Sequence, residues 1–116
     1  MVVYPNLSNA DLDRLFRALA DATRRDIVAR VMTGETPSVS ALAARYDMSF
    51  AAVQKHVAVL EEAGLVTKHA RGRERLVQGN PERLARVREL LAQLEGLWRE
   101  RFSRMDSLFE DNETKD

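Results

Sequence analysis

Cysteine is absent from all 116 residues. That excludes disulfides, thiol redox sensing, cysteine nucleophiles and thiolate metal sites together. Histidine is scarce, and His56 and His69 are too few for a histidine-rich metal site within one chain. With five glycines and three prolines the chain is neither collagen-like nor low in complexity. No apolar run approaches the roughly 18 residues that a membrane helix needs. The opening Met1-Val2-Val3-Tyr4-Pro5 lacks the basic and apolar regions of a signal peptide, so a cytoplasmic protein is expected. Net charge is also absent, with 18 basic residues against 18 acidic ones. What is present is ordinary for a globular protein: 45% hydrophobic and 31% charged residues, at a length that suits one domain.

The zero net charge hides an uneven distribution. Lys68, Arg71, Arg73, Arg75, Arg83, Arg86 and Arg88 lie between Leu65 and Arg88, against only Glu74 and Glu82. Acidic residues collect from Asp106 onward. Most of the basic residues are arginine, whose planar fork of donors suits phosphates and guanine edges. A neutral chain with a local basic strip still attracts a polyanion, because screening leaves the nearest charges dominant.

Hydrophobic periodicity sets out the elements. Residues 1–7 read as a loose arm, and Ser8 followed by Asp11 resembles a capping box. Leu12, Leu15, Phe16 and Leu19 then form one helical stripe, over residues 9–20. Asp21 caps a second helix with Ile27, Val28, Val31 and Met32 inward, ending near Gly34. Ser38 caps a short third helix with Val39, Leu42 and Ala43 inward. Residues 45–48 form a break, and Ser49 caps a fourth helix over residues 50–63, with Val53, His56, Val57 and Leu60 inward. Two helices joined by so short a turn make a helix-turn-helix.

Beyond Gly64 the period changes. Residues 65–69 and 74–78 are β-prone, and the arginine-decorated segment 70–73 between them contains Gly72, which is free to take positive φ. Asn80-Pro81 opens a long helix over residues 81–110. Its stripe runs through Leu84, Val87, Leu91, Leu94, Trp98, Phe102, Met105 and Phe109, with Leu90, Leu97 and Leu108 widening it. Gly96 is a potential break. Residues 111–116 read as a frayed acidic tail. The expected fold is mainly α with a small β-hairpin: a single winged helix-turn-helix domain over residues 1–116, with its core in 9–79 and a long C-terminal dimerisation helix.

The fourth helix presents Ala51, Ala52, Gln54 and Lys55 near its amino end, the end a recognition helix offers to base edges. Gln54 can bond adenine bidentately, Ala52 can pack on a thymine methyl, and Lys55 can reach a guanine or a phosphate. Ser49 and Phe50 stand at the same end, Phe50 packing on the turn or touching sugar and thymine methyl. The plainer alternative is a solvated helix face. His56 falls on the inward stripe, where a satisfied, partly buried imidazole is favoured over a metal ligand or base, and it is counted with Ser49, Phe50, Ala52, Gln54 and Lys55 among the expected DNA-binding residues. His69 is a strand residue or a phosphate contact. Arg71, Arg73 and Arg75 repel one another unless a polyanion is near, and they are expected on phosphates or in the minor groove; the alternative is a soluble charged loop. Arg24 and Arg25 either meet phosphates or pair with Asp21 and Asp26. The stripe on the last helix exceeds what so small a domain can cover. It suggests a second copy related by two-fold symmetry, or folding back on the first helix, or both. The expected dimer surface comprises Leu12, Leu15, Phe16, Leu91, Leu94, Trp98, Phe102 and Met105. Such a dimer would set two recognition helices about 34 Å apart.

Residues Leu19-Ala20-Asp21-Ala22-Thr23-Arg24-Arg25-Asp26-Ile27-Val28, Val39-Ser40-Ala41-Leu42-Ala43, Val53-Gln54-Lys55-His56-Val57 and Leu60-Glu61-Glu62-Ala63-Gly64-Leu65-Val66, with Gly72-Arg73, resemble the signature of the ArsR-type transcriptional regulators. The likeness extends over residues 12–78. It implies a homodimeric repressor on an inverted-repeat operator, with the terminal helix against the first helix in the dimer. There are departures. Ala22 stands where the family often has proline, and Gln54-Lys55-His56 where it often has Ser-Arg-His. The positions of a metal-sensing Cys-x-Cys pair fall on Ser38 and Ser40, whose hydroxyls do not replace thiolates toward soft metals. The terminal helix carries Glu82 and Glu89 but no histidine, and Trp98-Arg99-Glu100-Arg101-Phe102 looks like the metal-independent members. The expectation is therefore double-stranded DNA as partner, no metal inducer and no cofactor, with any small-molecule effector left unnamed. The rival reading is a winged-helix module that binds protein rather than DNA. No nucleophile, base or phosphate-cradling loop points to an enzyme.

Overall fold

The computed structural model describes residues 7–113; the first six residues of the expected arm and the last three of the acidic tail lie outside it. Five helices and one hairpin follow in the order α1 (Asn9–Ala18), α2 (Ala22–Met32), α3 (Val39–Tyr46), α4 (Phe50–Glu62), β1 (Val66–Arg71), β2 (Glu74–Gly79) and α5 (Pro81–Glu113).

Each of the first four helices starts at a side-chain oxygen that satisfies an orphan backbone N–H. Ser8 accepts from the Asp11 amide at 3.1 Å, and the Asp11 carboxylate accepts in return from the Ser8 amide at 3.3 Å. These bonds to Ser8 hold the Asp11 carboxyl below its ordinary value. Asp21 accepts from the Arg24 amide at 3.0 Å, Ser38 from Ala41 at 3.0 Å, and Ser49 from Ala52 at 3.1 Å. Asn80 caps α5 more loosely, accepting from Arg83 at 3.4 Å.

α1 ends at Ala18, two residues before the expected limit, and Arg24 donates to its last two carbonyls, those of Arg17 and Ala18, while Arg25 donates to that of Leu19 just beyond. Ile27, Val28 and Val31 are buried as expected, but Met32 is 59% exposed. It occupies the last residue of α2, at the solvent edge where Pro81 and Leu84 begin α5. The third helix does not break at Arg45. It continues through Tyr46, whose hydroxyl donates to Asp26 at 2.5 Å and accepts from Arg30 Nε at 3.0 Å. Burial pushes the Tyr46 hydroxyl pKa up, and the Tyr46 hydrogen bond, ahead of Arg30, lowers that of Asp26. The turn is therefore Asp47-Met48-Ser49, with Asp47 left-handed at φ 53°. A short polar side chain tolerates that conformation best after glycine.

The wing is tighter than expected. β1 and β2 pair antiparallel from Val66↔Gly79 to Arg71↔Glu74, leaving only Gly72 and Arg73 as the turn. Gly72 has φ 63° and Arg73 is not in the positive-φ region, the pattern of a two-residue hairpin with glycine first. A bridge from Ser38 to Leu76, with Val77 N–H donating to Pro37 at 2.8 Å, ties the hairpin to the start of α3. One core joins these elements, with Leu15, Ile27, Leu42, Val53, Leu60 and Val77 at its centre. Leu7, Leu12 and Leu90 form a satellite cluster that anchors α5.

α5 runs unbroken through Gly96, and three residues beyond the expected end, to Glu113. Glycine without positive φ lowers helix propensity by about 1 kcal/mol but keeps every backbone hydrogen bond. Its 33 residues make a rod about 50 Å long. The radius of gyration is 19.6 Å, where a compact chain of this size would have about 13 Å. The excess is the projecting helix. No described helix is long and apolar enough to cross a membrane.

Candidate nucleic-acid interface

α4 is held from one side only. Val53, Val57 and Leu60 are buried at 0% exposure, while Ala51, Gln54, Lys55 and Ala58 are exposed. Ser49 spends its hydroxyl on the cap, leaving its role to the helix start itself. Phe50 is 47% exposed at the same end, and Ala52 is half-buried beside it. A helix amino terminus with an exposed amide, ammonium and aromatic ring suits a groove edge, since its free N–H groups favour phosphate.

His56 is set apart from this surface. Its imidazole Nδ1 lies 3.2 Å from Arg24 Nη1 and 3.8 Å from Asp21 Oδ2, on the side of α4 that meets α2. The hydrogen bond from the Arg24 amide holds the Asp21 carboxyl low. Arg24 and Arg25 pair with neither Asp21 nor Asp26 through their side chains. Arg24 donates to the carbonyls of Ala18 at 2.7 Å and Arg17 at 3.2 Å, and Arg25 to that of Leu19 at 2.8 Å. Asp26 instead meets Arg30 at 2.9 Å and Tyr46. Local spacing offered the aspartates as partners, and the chain reversal between α1 and α2 supplied better acceptors.

The hairpin stands beside α4, joined to it by Lys68 and Glu61 at 3.6 Å. Arg71, Arg73 and Arg75 are all exposed. They do not form one flat patch. Side chains alternate along a strand, so Arg71 shares a face with His69, while Arg75 shares the opposite face with buried Val77. Arg73 sits at the turn. The ribbon therefore carries positive charge on both sides and at its tip, a shape suited to entering a groove between two phosphate rails. His69 is a strand residue whose Nε2 lies 3.0 Å from Thr67 Oγ1.

The residues expected at a dimer surface divide into two groups. Leu15 is 1% exposed and Leu12 is also buried, both within this chain. Their apolar area is already buried within the protomer. Phe16, Leu91, Leu94, Trp98, Phe102 and Met105 are exposed, joined by Leu97 and Leu108. The Trp98 and Phe102 rings pack together at 6.4 Å. The ion pairs Glu95–Arg99 at 2.5 Å and Glu100–Arg104 at 2.6 Å brace α5, each worth a few tenths of a kcal/mol at an exposed i,i+4 spacing. Among the described residues, α5 packs on the core through Leu84, Val87 and Leu90 in its first part.

Among the described residues no group of His, Asp and Glu comes together as a metal site. Ser38 is committed to capping α3, and Ser40 is exposed. The hydroxyls at the Cys-x-Cys positions do not fit a soft metal.

Comparison with known proteins bears on this geometry. Residues 19–69 match a helix-turn-helix domain model. An uncharacterised HTH-type transcriptional regulator of Bacillus subtilis, YuzN, is 38% identical over 82 residues, covering 66% of this chain and 89% of the relative. The crystal structure of an ArsR family transcriptional regulator superposes with TM-score 0.69 at 35% identity, over 85% of this chain and 97% of the other. A homodimeric winged helix-turn-helix DNA-binding domain from Mycobacterium bovis shares the fold, with TM-score 0.61 at 21% identity over 83% of this chain and 91% of the other. With α3, a three-residue turn and α4 followed by a hairpin, the chain belongs to the ArsR family of winged helix-turn-helix transcriptional regulators.

Proposed function

We propose that the chain acts as a homodimeric, sequence-specific repressor that binds an inverted-repeat DNA operator without a metal inducer. The observation that carries this reading is the free amino-terminal face of α4, with Gln54 and Lys55 exposed beside a ribbon bearing Arg71, Arg73 and Arg75. Gln54 and Lys55 would read the major groove, with Phe50 and Ala52 in apolar contact at the same end. The ribbon arginines would hold phosphates or enter the minor groove, and Ser49 would keep the helix start open toward phosphate. His56 would act from behind α4 rather than on a base.

The exposed stripe of α5, with Phe16, is the surface for a second copy. Two-fold pairing there would set both recognition helices on one face of the duplex. The serines at the Cys-x-Cys positions support release by something other than a soft metal. Titrating fluorescent genomic fragments at two salt concentrations tests the reading. Tight binding to a subset of fragments, with affinity falling steeply as salt rises, is expected. Equal, weak binding to all fragments would instead favour a module that recognises protein.

A further inference from the structure

The contacts that hold α4 on the rest of the domain are mostly non-directional. Val53, Val57 and Leu60 are fully buried, yet apolar burial alone fixes depth better than rotation or tilt. On the α2 side one directional contact is added. Arg24 donates through Nε to the Ala18 carbonyl at 2.7 Å and through Nη2 to the Arg17 carbonyl at 3.2 Å, which locks the guanidinium onto the carboxyl end of α1. Its third nitrogen, Nη1, lies 3.2 Å from Nδ1 of His56 on α4.

A guanidinium has donors and no acceptor. For Arg24 to donate to it, the Nδ1 atom presents its lone pair, which puts the imidazole proton on Nε2. Asp21 Oδ2 lies 3.8 Å from the same nitrogen, beyond hydrogen-bond distance. That oxygen accepts from the Arg24 amide at 3.0 Å. The chain α1 carbonyls–Arg24–His56 thus fixes α4 relative to α1. α1 in turn packs on α5 through Leu12 and Leu90.

We infer that Arg24 is a positioning residue for the recognition helix, acting through the neutral, Nε2-protonated form of His56. The inference rests on the DNA-binding reading above. It assigns Arg24 no contact with DNA, and it makes the acceptor at position 56, rather than the imidazole ring as such, the feature that DNA binding needs.

The test uses the full chain and a duplex selected from a random pool by the wild-type protein, with affinity read by fluorescence anisotropy and folding by circular dichroism. Asn at position 56 keeps a neutral acceptor near the place of Nδ1, and leucine removes it. His56→Asn should bind within about threefold of wild type, whereas His56→Leu and Arg24→Lys should each lose about tenfold or more, the scale of a charge-assisted hydrogen bond. A purely structural role would move melting temperature and leave the affinity of the folded protein alone. Should His56→Leu fail to fold, Arg24→Lys and the nitrogen NMR spectrum of wild-type His56 decide, the latter expected to show a bare Nδ1. A protonated Nδ1, or folded Arg24→Lys and His56→Leu proteins that bind like wild type, would overturn the inference and leave the DNA reading standing. A wild-type protein that selects no duplex would overturn both.

Discussion

Replacing Trp98 by alanine separates an interface role from a core role. The side chain is 68% exposed on the isolated protomer. A tryptophan offers roughly 200 Å² for burial, so about 140 Å² awaits a partner. At about 25 cal/mol/Å², covering all of it would contribute about 3.5 kcal/mol per protomer, and two-fold symmetry supplies the residue twice. Realising only half of that total still leaves about 3.5 kcal/mol, or roughly 300-fold in the dimer Kd. The protomer itself should tolerate the change, because Trp98 lies outside the buried core and alanine is the better helix former. Sedimentation equilibrium on Trp98→Ala should therefore show a dimer Kd raised at least about 100-fold, with far-ultraviolet circular dichroism unchanged. Leu15→Ala should do the opposite: buried at 1% exposure, it should cost about 2–5 kcal/mol of folding stability. A Trp98→Ala protein that dimerises within threefold of wild type would remove the α5 stripe from the account.

The remaining expectations concern DNA contact and the frame behind it. Arg73→Ala should weaken binding to all duplexes alike and reduce the slope of log affinity against log salt by about one; an unchanged slope would remove the turn from the phosphate contacts. Gln54→Ala should relax preference at one base pair by about 1–3 kcal/mol in a selection from randomised duplexes, and identical selected sequences would refute its reading role. Gly64 has φ 78°, a left-handed backbone that residues with a Cβ rarely adopt. Gly64→Ala should cost at least about 1 kcal/mol and lower the melting temperature by about 4 °C or more; an unaltered melting curve would contradict the strain. Asp26 has its pKa lowered by the Tyr46 hydroxyl and then by Arg30, so its contribution is present above the unfolded value and lost as pH falls through the lower, folded value. The urea midpoint should drop in that acid window, less so for Asp26→Asn, with Asp11 and Asp21 adding the same sign. Equal acid sensitivity of the variant and wild type would count against the Asp26–Tyr46 bond.

Helix starts were legible because their signal is local. Ser8, Asp21, Ser38 and Ser49 each precede an apolar period, and each caps as its chemistry allows. The period itself says which side of a helix is apolar, not how far the neighbours cover it. Phe16 and Met32 continue their stripes onto surface that the other elements cover only in part. Tyr46 extended α3 through a bond to Asp26, twenty residues away, which no local pattern carries. The arginine content of the wing was plain, but its distribution over two faces depended on a register set by a two-residue turn. The Arg24–His56 contact was hidden for the same reason: the acceptors that lock Arg24 are backbone carbonyls brought close by the α1–α2 reversal. Gly96 was ambiguous because a glycine tolerated inside a helix and one that ends it read alike.

The most direct test of the paired-helix account is hydroxyl-radical footprinting on a duplex selected by the wild-type protein. Two protected half-sites in inverted orientation, with centres about one helical turn apart or a whole multiple of it, are predicted. A single half-site, a direct repeat, or spacing that places the two footprints on opposite faces of the duplex would contradict it.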